Sequence, residues 1–126
     1  MSLKEACFVN IALKDFIFSI NDLFQAMIKD SNLDIKNFNV DGGATANNLL
    51  LQTQANISEV NIIRPKIIET TAYGAALGAA IGKGLFKMDE IKTLWNKDQS
   101  FSANEDASFY SKKKEQWKQA IQKLFS

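Results

Sequence analysis

The stretch from residue 35 to residue 65 constrains this chain most, because it carries a βαβ pattern around a glycine pair. Ile35 to Val40 reads as a short strand, with Phe38 and Val40 on one face and Asn37 and Asn39 on the other. Gly42-Gly43 follows. Two adjacent glycines let the backbone turn through conformations closed to other residues, and their missing side chains leave room for a ligand. Residues 44–56 then read as a helix with Ala46, Leu49 and Leu50 toward the core. Ser58 to Arg64 reads as a second strand, in which Val60 and Ile62 alternate with Asn61 and Ile63 lies on the other face. Pro65 stops it, since proline has no N–H for the ladder. Strands joined in this way pair in parallel through a right-handed crossover. The glycine turn also leads onto a helix N-terminus, whose unpaired N–H groups suit an anion or a polar ligand edge. It lacks the third glycine of the dinucleotide fingerprint and the Lys-Ser/Thr of a P-loop. By local pattern, a nucleotide corner and a plain strand-to-helix turn stand level.

The flanking segments are helical. Residues 4–30 carry Leu13, Phe16, Ile20, Leu23 and Met27 at three- and four-residue steps, flanked by Ile17, Phe24 and Ile28. So broad an apolar face requires a sizeable partner surface. Thr70 or Thr71 can cap a helix running through Gly74, Gly78 and Gly82, which sit four apart on one face. The run is too short to span a bilayer, and a smooth helix approached closely by another backbone or a ligand is the better reading. Gly84 closes it. Met88 to Trp95 reads as a short helix, and residues 96–104 as a polar loop anchored by Phe101. Asn104 can cap a last helix to about 124, with Trp117, Ala120, Ile121 and Leu124 as its apolar face. Lys112-Lys113-Lys114 on that helix reads as a solvated face, because no aromatic stacking platform is interleaved with it.

Composition narrows the function classes. The chain has 126 residues, so one domain or a piece of a larger one is the prior. A net charge of +1 gives no broad field toward nucleic acid or an anionic membrane. The absence of histidine removes the usual general base and the commonest transition-metal ligand. The single cysteine, Cys7, cannot form an internal disulfide, and no Cys/His cluster exists for zinc. No signal peptide is evident, so a cytoplasmic protein is expected. Two strands make a poor sheet, and the helices present more apolar face than two strands can cover. The expected fold class is therefore α/β and partial: a βαβ unit of two parallel strands with flanking helices, with further strands lying before residue 1.

Val40-Asp41-Gly42-Gly43-Ala44-Thr45-Ala46-Asn47-Asn48-Leu49-Leu50 resembles the adenosine-side motif of the carbohydrate kinases that include glycerol kinase, xylulokinase and gluconate kinase. Arg64-Pro65 and Glu69-Thr70-Thr71-Ala72-Tyr73-Gly74-Ala75-Ala76, at their spacing from it, are most similar to the glycerol kinase branch. The resemblance covers nearly the whole chain. It implies the C-terminal portion of the second of two actin-like (ribonuclease H-like) domains that close over ATP and a polyol. Gly43 then matches the glycine whose backbone abuts the nucleotide, and Asn47 matches an asparagine contacting it from the first turn of the next helix. Gly42 and Ala44 shape the same turn. Asp41 is expected to brace the turn by accepting N–H bonds from it and from the helix start. The family's reaction moves the γ-phosphoryl group of ATP, with Mg2+, onto glycerol. Its base, its phosphate loop and its glycerol pocket lie upstream of the matched region, so no catalytic or metal-ligating residue is expected here. The chain by itself is expected to be an inactive fragment that self-associates through its uncovered helix face. A related sugar kinase, or a free-standing interaction module, remains the alternative.

Overall fold

The computed structural model describes residues 3–94, 96–104 and 107–124. The element order is α1 (Leu3–Ser31), β1 (Asn37–Asn39), a 3-10 turn (Gly43–Ala46), α2 (Asn48–Ser58), β2 (Asn61–Pro65), α3 (Thr70–Gly82), α4 (Ile91–Leu94), β3 (Lys97–Phe101) and α5 (Ala107–Leu124). The strands form one sheet in the order β1-β2-β3. β1 and β2 are parallel, as the βαβ pattern requires. Backbone bonds from Asn61 N to Lys36 O and from Val40 N to Ile63 O continue that pairing past both ends of the three-residue β1.

β3 is the main departure from the sequence reading. Residues 96–104 read as a loop, but Lys97–Phe101 pairs antiparallel with β2. Its only apolar residue is Phe101, so it has no alternation to reveal it. Its pairing is set by the exposed ladder groups of β2. The register places Ile62 opposite both Phe38 and Phe101, so one row of side chains crosses the three strands. Ile62 and Phe101 are buried, and Phe38 meets Phe24 of α1 edge to face at 4.8 Å. Leu50, Leu51, Ala55 and Ile57 of α2 and Ile17, Phe18 and Phe24 of α1 complete this core.

The second strand starts later than expected, because α2 runs through Ser58. Glu59 closes α2 in the left-handed region at φ 58°, with its N–H bonded to Ala55 O. Pro65 is the last residue of β2, and a register shift lies beside it. Arg64 pairs with Gln99 and Pro65 with Lys97, so Asp98 is the extra residue of a β-bulge. A bulge is one of the few places where a sheet tolerates proline.

α1 buries a different stripe from the one expected. Ile17, Asn21 and Phe24 face the core, while Phe16, Leu23 and Met27 on the neighbouring stripe are exposed. Both stripes are apolar enough to be buried, and the sheet and α2 are wide enough to cover only one. Leu49 and Ala46 are likewise exposed, and α2 turns Leu50, Leu51 and Gln54 inward instead. α3 ends in a Schellman motif: Gly84 at φ 72° donates to Ile81 O, and Leu85 N reaches Ala80 O. No residue of α3 is buried. Trp95, expected on α4, lies outside the described residues, as does the junction 105–106 between Asn104 and α5. On α5, Tyr110 is buried and Trp117 half-buried, whereas Ala120 and Leu124 are exposed. Trp117 stacks on Phe18 at 5.7 Å and donates to Asp22. Lys113 lies over the Phe109 ring and Lys114 pairs with Glu59, so two of the three lysines are engaged with the protein itself.

Phe101→Ala tests whether β3 is an integral strand. Removing a fully packed phenylalanine should lower unfolding free energy by about 3–5 kcal/mol in urea denaturation. A loss under about 1 kcal/mol would match a surface loop anchor instead.

Candidate functional site

The site is the corner where β1 turns onto α2. Gly42 adopts φ 89° and ψ 163°, a conformation open in practice only to glycine. Its N–H donates to Ile68 O at 2.8 Å, which ties the turn to the segment leading into α3. Its carbonyl accepts from both the N–H and the hydroxyl of Thr45, at 3.0 and 2.7 Å. Those two bonds close Gly43–Ala46 into a single 3-10 turn.

The helix expected over 44–56 is interrupted here. Asn47 leaves the helical region at φ −85°, ψ 103° and becomes the N-cap of α2. Its Oδ1 accepts from Leu49 N and Leu50 N at 3.0 and 3.2 Å. Those two bonds fix which end of the amide is oxygen, so its Nδ2 hydrogens remain as donors with no acceptor among the described residues. Asn47 is thus a cap before the first turn, not a member of it. Gly42, Gly43, Ala44 and Asn47 come together at one exposed or half-exposed corner.

Gly43 has no positive φ, so its fold role differs from that of Gly42. A Cβ built on it would meet only Glu69 Oε1, at 3.9 Å, an ordinary contact. The fold would accept a side chain there, and the space it keeps clear lies beside the Glu69 carboxylate. Among the described residues that carboxylate has no hydrogen-bond partner. Asp41 does brace the corner, but not through the N–H groups of the turn. Its Oδ2 accepts from the Thr70 hydroxyl at the start of α3, since Gly42 N and Thr45 N are already bonded to backbone carbonyls. Thr70 is therefore not the N-cap of α3. Glu69 holds that position and makes no capping bond.

Arg64 holds the corner from beneath. The alternation that turns Ile62 inward also turns Arg64 inward, two residues on. Its side chain is 12 % exposed and lies over the Phe101 ring at 5.6 Å. Nη1 donates to Thr45 O at 2.9 Å and to Asn48 Oδ1 at 2.8 Å. Nε and Nη2 reach Asp98 Oδ2 at 2.9 and 2.7 Å, and Nη2 also reaches Gln99 Oε1 at 3.1 Å. Neighbouring residues of a regular strand point to opposite faces, and the bulge at Asp98 is what lets both 98 and 99 serve one guanidinium. The sequence reading used Arg64 only as part of a motif. The signal was present in its inward register, because an inward arginine must find acceptors for its donors.

Comparison with known proteins places this corner in context. A model of the FGGY family of carbohydrate kinases, C-terminal domain, matches residues 12–82. The chain is 40% identical over 119 residues to a protein of Agathobacter rectalis named glycerol kinase, covering 94% of this chain and 24% of that one. It is likewise 40% identical over 111 residues to a glycerol kinase of Deinococcus radiodurans, covering 87% of this chain and 22% of that one. The chain thus spans about a quarter of the length of the curated relatives it matches. Among solved structures, the Plasmodium falciparum glycerol kinase with ADP superposes with a TM-score of 0.72 at 25% identity, over 88% of this chain and 22% of that one. The xylulose kinase of Lactobacillus acidophilus superposes with a TM-score of 0.75 at 23% identity, over 90% and 24% of the two chains, which speaks for the shared fold.

The two glycines should respond differently to substitution. Gly42→Ala should cost about 1–3 kcal/mol of stability through backbone strain. Gly43→Ala should cost under about 1 kcal/mol, since nothing in the fold occupies the site of its Cβ. Equal losses in paired urea melts would contradict this division.

Proposed function

The chain belongs to the FGGY family of carbohydrate kinases, whose C-terminal domain it matches over residues 12–82, and on that premise we propose that it forms the adenosine-side wall of a glycerol kinase nucleotide cleft. The observation that carries this reading is the corner itself. Gly43 keeps one face clear of side chain, and Asn47, four residues on and held by its own cap, keeps Nδ2 as a donor. Gly42 and Ala44 give the turn its shape. The charge distribution supports the nucleoside as the part bound. Asp41 and Glu69 flank the corner, while Arg64 is turned onto protein acceptors. Two carboxylates disfavour phosphate by like-charge repulsion and suit the hydroxyl and amine donors of adenosine.

The whole enzyme would transfer the γ-phosphoryl group of ATP to glycerol, giving glycerol 3-phosphate and ADP. Support for glycerol as acceptor comes from relatives 36–40% identical, which carry the name glycerol kinase. That reaction needs a base for the hydroxyl proton and groups that hold the phosphates. Among the described residues no three Asp, Glu or Cys gather into a metal-binding group. On this reading the base, the glycerol pocket and the protein ligands of the Mg2+ that accompanies ATP lie in the rest of the enzyme. Among the described residues no helix is long and apolar enough to cross a membrane, in keeping with a cytoplasmic enzyme that draws on the ATP pool.

Titration of the purified chain with ADP should show saturable binding that Gly43→Ala weakens while unfolding free energy falls by under about 1 kcal/mol. No binding at millimolar ADP would overturn the nucleotide reading. A coupled assay on the same chain should show no glycerol-dependent ADP release; release would overturn the assignment of catalysis to residues elsewhere. With Leu23, Met27, Leu85 and Met88 each more than half exposed, the isolated chain should also self-associate. Light scattering that shows a monomer at high concentration would contradict that.

A further inference from the structure

We infer that Arg64 is a positioning residue for the nucleotide wall: by taking the Thr45 carbonyl away from α2, it holds open the break that presents Asn47 and Gly43. This rests on the reading of the corner as a nucleotide site. In a continuous helix the N–H of Leu49 would donate to the carbonyl of Thr45, four residues back. Here that bond is exchanged for two others. Thr45 O accepts from Arg64 Nη1 at 2.9 Å, and Leu49 N donates to Asn47 Oδ1 at 3.0 Å. Both ends of the missing helical bond are satisfied, one by a residue of β2 and one by the local cap.

Within the segment only the Asn47 cap favours the break. Residues 44–58 carry no proline and no glycine, and their pattern reads as one helix. Asn47 can cap only while it stays outside the helical region, where it is found at ψ 103°. Arg64 also grips the far side of the break, through Asn48 Oδ1 at 2.8 Å. It is itself held in place by Asp98 and Gln99 from the bulge and by the Phe101 ring below. The charged Arg64 donor at 2.9 Å bonds this carbonyl more strongly than a neutral N–H would. Without Arg64, Thr45 O and Leu49 N are left to find each other. The helix then extends back toward Ala44, the Asn47 side chain loses its cap, and the corner loses its shape.

Three variants test this in the purified chain: Arg64→Met, Arg64→Lys and Asn48→Ala, with Asn56→Ala as a control. Asn56 bonds Gln52 within α2 and ties the helix to Asn104 and Tyr110, with no bond to Arg64, so its loss should destabilise without touching Arg64. Two readouts are taken: the 13Cα shifts of Thr45 to Asn47, and ADP affinity. In the wild type, Asn47 should show an extended shift. In Arg64→Met it should move to a helical value, with ADP binding weakened about tenfold, the loss expected for a charged hydrogen bond. Arg64→Lys should recover part of both. Asn48→Ala by itself should weaken ADP binding less than Arg64→Met does and add nothing to it, because the Asn48 side chain acts only through Arg64, which also holds Thr45 O. Asn56→Ala should lower the melting temperature and leave both readouts at wild-type values. Should Arg64→Met fail to fold, Asn48→Ala and Arg64→Lys still decide the matter. Wild-type shifts and affinity in Arg64→Met, or in Asn48→Ala when Arg64→Met is unfolded, would overturn the inference, as would an Asn56→Ala loss of affinity as large as theirs. If the wild type binds no ADP, the nucleotide reading falls, and the shifts alone then decide whether Arg64 holds the break.

Discussion

A guanidinium turned into the seam between a sheet and a helix sets the terms for this structure. Arg64 carries five N–H donors, and desolvating them without partners would be costly. Three segments supply acceptors, the 3-10 turn through Thr45, α2 through Asn48, and β3 through Asp98 and Gln99, to the arginine that β2 carries. The parallel pair, the antiparallel strand and the interrupted helix are therefore joined at one side chain. The bulge in β3 and the break before α2 are both distortions of regular structure, and both deliver an oxygen to it. Beside it, Phe101, Ile62 and Phe38 form the apolar row that excludes water from one flank.

The other side of the molecule is unfinished. α3 is the most apolar helix of the chain, and yet none of its residues is buried. Gly74, Gly78 and Gly82 each have open space where a Cβ would sit. Three glycines weaken a helix by roughly 1 kcal/mol each relative to alanine, and among the described residues nothing packs where their Cβ atoms would sit. The expected close approach of another backbone is not made by any described residue. Phe16, Leu23 and Met27 on α1 are exposed in the same way. α3 is tethered mainly at its start, where Thr70 meets Asp41 and Ile68 meets Gly42. The helix is thus tied to the proposed nucleotide corner, and anything that covers α3 bears on that corner.

Different parts of the fold were legible to different degrees. β1 and β2 were visible because alternation reports a half-buried strand whatever its partner. α1 was visible as a helix, but its buried stripe was not, since two adjacent stripes are equally apolar and only the width of the sheet decides between them. Asn21 illustrates this, for it is buried on the chosen stripe although it reads as a surface residue. β3 was invisible, because Lys-Asp-Gln-Ser-Phe has neither alternation nor β-branched residues and becomes a strand only by pairing with β2. At the corner, the glycines and Asn47 were legible as a motif, while the break before α2 and the Thr70 contact of Asp41 were not. Those depend on Arg64 and α3, which lie 16 or more residues further along the chain.

By itself the sequence determined the βαβ core, the Gly42-Gly43 turn and the family to which the motif belongs. Each is written in short-range spacing, where side-chain periodicity and glycine conformational freedom act locally. Only the tertiary structure decided that residues 43–58 form a turn and a capped helix instead of one helix, that Arg64 is the hinge between them, and that 97–101 is a strand. Those outcomes come from competition for a few hydrogen-bond acceptors. Thr45 O accepts from Arg64, a residue of another strand, while Leu49 N, its partner in a continuous helix, donates to Asn47 Oδ1. A local pattern lists the bonds a segment could make, and folding selects among them by what else is brought alongside.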